Sequence, residues 1–307
     1  MRFLSFLLPL TAWAFAPLLV GIINRVKAFA AGRRGAPLFQ PYTDLAKLMR
    51  KGATWSTTAT GVSRMAPAVS LAAFVTATTI LPWGSLRPPL SFAGDWVFLA
   101  YVLGVARFAT VLGALDTGSS FEGMGASREV CFAALAEPAF FLGILVLALF
   151  SGQATLADML GSVSIRKMEF GSVLLLMVAC SWFVSLLAEN SRIPVDDPNT
   201  HLELTMIHEV MVLDYSGPDL GTVLYGAALK LWVFCALLVN LVLPAFEENA
   251  VLQVILFLAS MGVLALFVGL VESVMARLRL SQVPKLLVGS GALGAIALLL
   301  KLLGEKT

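Results

Sequence analysis

The chain has 307 residues, is 59% hydrophobic and 13% charged, and carries a formal net charge of +2 with a mean hydropathy of +0.89. A soluble domain of this length is about a quarter charged, and a soluble helical protein needs amphipathic helices to make its surface, so composition argues against a soluble protein. The basic residues lack the aromatic and motif support of a nucleic-acid-binding surface.

Apolar runs of about 18–23 residues are long enough to cross a bilayer as helices. Eight are predicted, at 3–23, 66–84, 96–115, 129–150, 170–188, 221–243, 251–271 and 285–303. Backbone groups in lipid must bond within their own segment, which makes helices the sensible reading. The expected fold class is an all-α polytopic integral membrane protein: a single membrane domain over 1–307, about eight transmembrane helices, and short interfacial helices in the cytoplasmic loops.

Residues 1–16 resemble a cleavable leader, with one basic residue and an A-x-A end at Ala14–Ala16. The apolar run continues to Ile23 and meets Arg25 and Lys27, which predicts a retained span with a positive flank. The 24–65 connection holds Arg25, Lys27, Arg33, Arg34, Lys47, Arg50, Lys51 and Arg64 against one acid, Asp44. The 274–284 connection adds Arg277 and Arg279. The positive-inside rule therefore places 24–65, 116–128, 189–220 and 274–284 in the cytoplasm and both termini outside. Within 24–65, Arg33–Pro37 reads as a turn and Pro41–Arg50 as a short helix with Leu45, Leu48 and Met49 on one side. This basic, amphipathic stretch suits either lipid headgroups or a docking partner, and docking is the favoured reading.

Charges inside the spans come next. Arg107 lies in the third span, Glu137 in the fourth with Glu129 at its start and Glu122 just before it, and Lys230 in the sixth. Such groups cost several kcal/mol in lipid, so they should face the bundle interior, water or one another. Structural ion pairing and a hydrated proton path both fit. Ala133 and Ala136 give the fourth helix a small face where water or a helix can approach. Cys131, Cys180 and Cys235 stand singly in apolar runs, without metal-ligand spacing.

The segment Ala188–Gly217 is an island of charge holding Glu189, Arg192, Asp196, Asp197, Glu203, Glu209, Asp214 and both histidines, His201 and His208. Pro194 and Asp197-Pro198 interrupt helical continuity, and Asp197 as cap with Pro198 predicts a helix over about 198–213. Its mixed apolar and acidic residues point to a funnel or cavity at the cytoplasmic edge. Gly289-Ser-Gly-Ala-Leu-Gly294 spells a dinucleotide fingerprint but lacks a preceding strand, and the histidine spacing is not that of a zinc hydrolase.

The run Glu189-Asn-Ser-Arg-Ile-Pro-Val-Asp-Asp-Pro-Asn-Thr-His-Leu-Glu-Leu-Thr-Met-Ile-His-Glu209, with Leu213-Asp-Tyr-Ser-Gly217, resembles the membrane-anchor subunits shared by complex I and group 4 nickel–iron hydrogenases. Gly32-Arg-Arg-Gly35, Leu38–Leu48 and Leu115–Glu129 extend the resemblance over essentially the whole chain. It implies a subunit of a multisubunit complex in the cell inner membrane that docks a peripheral redox arm and couples electron transfer to proton or sodium movement. It also implies partners: hydrogenase large and small subunits, an iron–sulfur subunit and antiporter-like membrane subunits. Cofactors (4Fe-4S clusters and a NiFe centre) would lie in those partners, and none in this chain, which would then be a non-catalytic subunit. The resemblance carries Glu189, Glu203 and Asp214 onto this sequence, with Arg192 and Asp196; together with the charges read in the spans, the proton-relay candidates are Glu122, Glu129, Glu137, Glu189, Glu203 and Asp214, tuned by Arg107, Arg192, Asp196 and Lys230. Docking candidates are Arg25, Lys27, Arg33, Arg34, Gln40, Asp44 and Lys47; Gln40, Asp44 and Lys47, with Pro41, match a region lining quinone access in complex I. The wording after Asp196 departs from the complex I pattern, which favours the hydrogenase branch over a quinone-site subunit. A passive structural anchor and a stand-alone transporter are the further alternatives.

Overall fold

The computed structural model describes residues 2–162, 171–197, 206–243 and 250–304. Ten α-helices lie among them: α1 (Arg2–Ala30), α2 (Gln40–Met49), α3 (Gly61–Thr78), α4 (Asp95–Asp116), α5 (Ser120–Ser151), α6 (Leu156–Ser162), α7 (Gly171–Glu189), α8 (Gly217–Val242), α9 (Ala250–Val274) and α10 (Val283–Gly304). Strand-like pairing among the described residues is confined to an isolated Trp83–Leu86 bridge. The protein is therefore an all-α, multi-pass membrane protein.

The expected count of eight spans is not met. Among the described residues, six helices are long and apolar enough to cross a membrane, namely Ser5–Ala30 within α1, then α4, α5, α8, α9 and α10. The predicted spans 66–84 and 170–188 fall on α3 and α7. Helix α3 stops at Thr78, short of the predicted end. Thr76, Thr78 and Thr79 turn their hydroxyls back onto the carbonyls of Ala72, Val75 and Thr76, and Pro82 disfavours helix at Leu81. The apolar stretch in α7 that is described is Val173–Glu189, one turn shorter than a comfortable span.

Two connections also differ from expectation. The 116–128 loop shrinks to three residues, because α5 begins at Ser120 and runs for 32 residues. Its first turns bury Glu122, Gly125, Ala126 and Glu129, so packing extends the helix below the apolar run. The predicted helix over 198–213 is absent from its described part: Glu209–Val212 forms a short 3₁₀ turn, and 198–205 lie outside the described residues. The reason is local, since the Asp196 carboxylate accepts the backbone N–H groups of Ile207 and His208 at 3.1 and 3.2 Å. Those donors bind a side chain and hold a bent connection. The short helix expected at 41–50 is present as α2, with Leu48 and Met49 against Gly221 of α8.

Helix α8 is the axis of the bundle. Apart from Lys230, every residue from Ala228 to Leu241 is buried, and α1, α2, α3, α7 and α9 pack around it. Trp83 stacks on Phe257 at 4.5 Å and tilts against Trp232 of α8 at 5.8 Å. Outward faces carry exposed Phe6, Tyr101, Phe108, Phe267 and Leu303, as helices facing lipid do. The charged position in this stretch, Lys230, marks where the core changes character.

Candidate functional site

Lys230 does not reach for the surface. Its Nζ lies 2.8 Å from Glu189 Oε2 at the end of α7. The other oxygen of Glu189 accepts from Arg107 Nη2 of α4 at 2.6 Å. Arg107 also bonds Glu137 and approaches Glu129 at 3.4 Å, both on α5. Positions 129 and 137 are two helical turns apart, so one guanidinium fork spans both. Glu129 Oε2 in turn lies 2.8 Å from His208 Nε2, and His208 Nδ1 lies 3.6 Å from Asp196 Oδ2. Arg277, beyond α9, closes the series on Asp196 Oδ1 at 3.0 Å.

This linked set runs from the core of α8 to the segment between α7 and α8. It contains four carboxylates, Glu129, Glu137, Glu189 and Asp196, and three fixed cations, Arg107, Lys230 and Arg277. Its charge balances when His208 is protonated. Burial by itself would push the imidazole down, but the charge of Glu129 and contact with Asp196 outweigh it and raise His208 to about 9. Burial likewise opposes ionisation of Asp196, yet His208, its backbone N–H and Arg277 hold that carboxyl below its usual range.

Two spaces adjoin the set. A cavity of about 380 Å³ is lined by Tyr101, Arg107, Glu137, Phe140, Glu189 and Phe234. A gap of about 10 Å³, room for one water molecule at most, lies among Glu129, Glu189 and His208 with otherwise apolar walls that include Phe132, Ala133, Ala136 and Ile207. The small alanines of α5 create this gap between the charges.

The remaining predicted residues sit elsewhere. Glu122 is buried on α5, bonded by Thr117 and by the Asp214 backbone N–H at 3.0 Å. The Asp214 residue itself is exposed. Glu203 lies outside the described residues, as does His201. Arg192 belongs to a second cluster, in which Glu272 of α9 meets Arg192 at 3.4 Å and Lys27 of α1 at 2.8 Å. Lys27 thus neutralises a buried acid within the chain. Arg25 holds the loop, donating to the carbonyls of Arg34 and Ala36 at 2.7 and 3.2 Å. Asp44 accepts from Gln40 at 2.7 Å and has Lys47 at 3.8 Å. Arg33, Arg34, Lys47, Arg50, Lys51 and Arg64 form the basic surface.

Sequence reasoning did not include His208, Glu272 or Arg277 in the site. The signal for Glu272 was an acid at the end of an otherwise uncharged apolar run, and for His208 a histidine among buried apolar neighbours. Their partners are far away in the chain, so spacing could not supply them. Among the described residues no three His, Cys, Asp or Glu side chains come together in a metal-holding group.

The NADH dehydrogenase family profile matches residues 2–302. Formate hydrogenlyase subunit 4 of Escherichia coli (strain K12) is 30% identical over 283 residues, covering 90% of this chain and 91% of that protein. Hydrogenase-4 component C of the same organism is 31% identical over 267 residues, covering 85% and 83%. A solved structure of the membrane-bound sulfane sulfur reductase, an archaeal respiratory membrane complex, contains a chain of the same fold, with a TM-score of 0.84, 20% identity and coverage of 98% and 99%. With its helix bundle, its buried charge series and these relatives together, the chain belongs to the NADH dehydrogenase family.

Proposed function

We propose that this chain is the membrane subunit of a respiratory complex of the hydrogenase or formate-hydrogenlyase type, docking a peripheral redox arm and coupling its electron transfer to movement of protons or sodium ions. The observation that carries the reading is the continuous charge series from Lys230 to Arg277, which links the bundle core to the segment between α7 and α8. Isolated carboxylates in a membrane protein are costly, and a mere anchor has no need of four in series. The relatives with 30% and 31% identity support the hydrogenase branch.

In this reading the redox centres belong to partner subunits, in the cell inner membrane, and this chain is non-catalytic. A charge change in the docked arm alters the fields on Asp196 and His208. The low-dielectric interior transmits the change to Glu129 and Glu189, and Arg107 links both to Glu137. The basic surface of Arg33, Arg34, Lys47, Arg50 and Lys51 supplies electrostatic complementarity for an acidic face of the arm.

The test has two parts. Mass spectrometry and metal analysis of the complex that co-purifies with the chain should find a hydrogenase large subunit and nickel. A quinone-reducing arm without nickel would instead assign the complex I type. Glu137→Gln and Glu189→Gln, in assembled complex, should lower the ions moved per electron. An unchanged ratio in both leaves only the anchor role.

A further inference from the structure

We propose that His208 and Glu129 form the proton-exchange pair at which the segment between α7 and α8 gives protons to, or takes them from, the charge series inside the bundle. The inference rests on the coupling function above and assigns its entry step to two atoms.

The geometry is specific. His208 Nε2 is 2.8 Å from Glu129 Oε2, within reach for transfer. Among the described residues, this contact is the one ion pair joining the segment between α7 and α8 to a carboxylate of α5. On its other side, Nδ1 faces Asp196 Oδ2 at 3.6 Å. Asp196 is a poor recipient for the proton, since Arg277 and two backbone N–H groups already occupy its oxygens. Glu129 Oε2 faces His208, while its other oxygen is approached by Arg107 at 3.4 Å.

The step balances. The Nε2–H bond of the imidazolium breaks and an O–H bond forms on Glu129 Oε2. An imidazolium and a carboxylate become a neutral imidazole and a carboxylic acid, with no net change in the charge of the site. Arg107 then keeps Glu137 and Glu189 as its charged partners. The one-water gap bounded by Glu129, Glu189 and His208 provides the onward contact toward Glu189.

Charged groups face the imidazole from several packed elements. Helix α5 presents Glu129, α7 ends in Glu189, α8 contributes the charge of Lys230, and the connections contribute Asp196 and Arg277. Glu209 follows His208 in the chain, and α10 presents the apolar Val283 and Leu287 nearby.

The experiment measures ions moved per electron by the assembled complex in vesicles. His208→Arg keeps a cation that does not release its proton, and His208→Gln removes the charge. Exchange at this pair predicts that both variants lower the ratio by at least about tenfold. A ratio retained by His208→Arg shows that a fixed charge suffices and overturns the proposal, as does a ratio retained by His208→Gln. If neither variant assembles, the wild-type ratio from pH 7 to 10 decides. A fall centred near 9 supports exchange, and a flat profile overturns it. Glu189→Gln runs alongside. If it loses coupling while His208→Arg keeps it, this inference alone fails, whereas coupling retained in Glu189→Gln and Glu137→Gln sinks the functional reading itself.

Discussion

Arg107→Gln removes the cation shared by three carboxylates, and the geometry dictates which of them suffers. Glu189 keeps Lys230 at 2.8 Å and Glu129 keeps His208 at 2.8 Å. Glu137 loses its one ion-pair partner among the described residues, but its side chain is 48% exposed and relaxes toward the cavity. Breaking a buried pair costs about 3–5 kcal/mol, and these remaining partners place the expected loss at the lower end, about 3 kcal/mol. Cys235 offers the readout, being fully buried on α8, while Cys131 and Cys180 are exposed and replaceable by serine. When opening is fast relative to labelling, thiol modification of Cys235 should accelerate by roughly two decades in Arg107→Gln. Adding Glu137→Gln should recover about 1 kcal/mol, close to one decade, because it deletes the stranded charge. Labelling within a factor of about three of wild type, or a double variant worse than the single, would refute this account of the site.

Four further outcomes are expected. His208 is raised to about 9 in the folded chain, so its stabilising contribution is complete below about 6.5 and is lost as pH rises through 9, a decline that Cys235 labelling should register and His208→Gln should abolish. Asp196 is depressed, so its contribution is present above about 4 and is lost as pH falls through its lower folded value. Glu272→Gln leaves Lys27 and Arg192 facing one another without their shared acid, and should destabilise the chain by about 3–5 kcal/mol, more than Lys27→Met does, as measured by thermal unfolding in detergent. Gly143→Ala on α5 pushes a methyl into the Trp182 ring and should cost about 1–3 kcal/mol, whereas Gly104→Ala on α4 meets open space and should be neutral or stabilising by up to about 1 kcal/mol, by the same assay.

Much of this protein is written locally. Membrane residence follows from the apolar runs alone, because transfer into lipid depends on composition and length. The short helix of α2 was legible from its proline and its apolar spacing, and Ala188–Gly217 stood out as a candidate functional segment because charge in such a chain is exceptional. The reading of helix ends failed where nearby side chains competed for the backbone. Thr76–Thr79 and Pro82 end α3 early, and the Asp196 carboxylate takes N–H groups that a helix over 198–213 would have used.

The sequence by itself determined which residues carry charge into the bundle. Tertiary structure alone decided who meets whom. Arg107 and Glu189 are 82 positions apart, and Arg277 and Asp196 are 81. No periodicity encodes such pairings, since they depend on how α4, α5, α7 and α8 are placed around one another. That placement made Lys230 the partner of Glu189, drew Lys27 from the basic loop onto Glu272, and made His208 the joint between the two halves of the charge series. The physical reason is range: helix propensity and hydropathy act over a few residues, while a buried ion pair is settled only when packing excludes water from both partners.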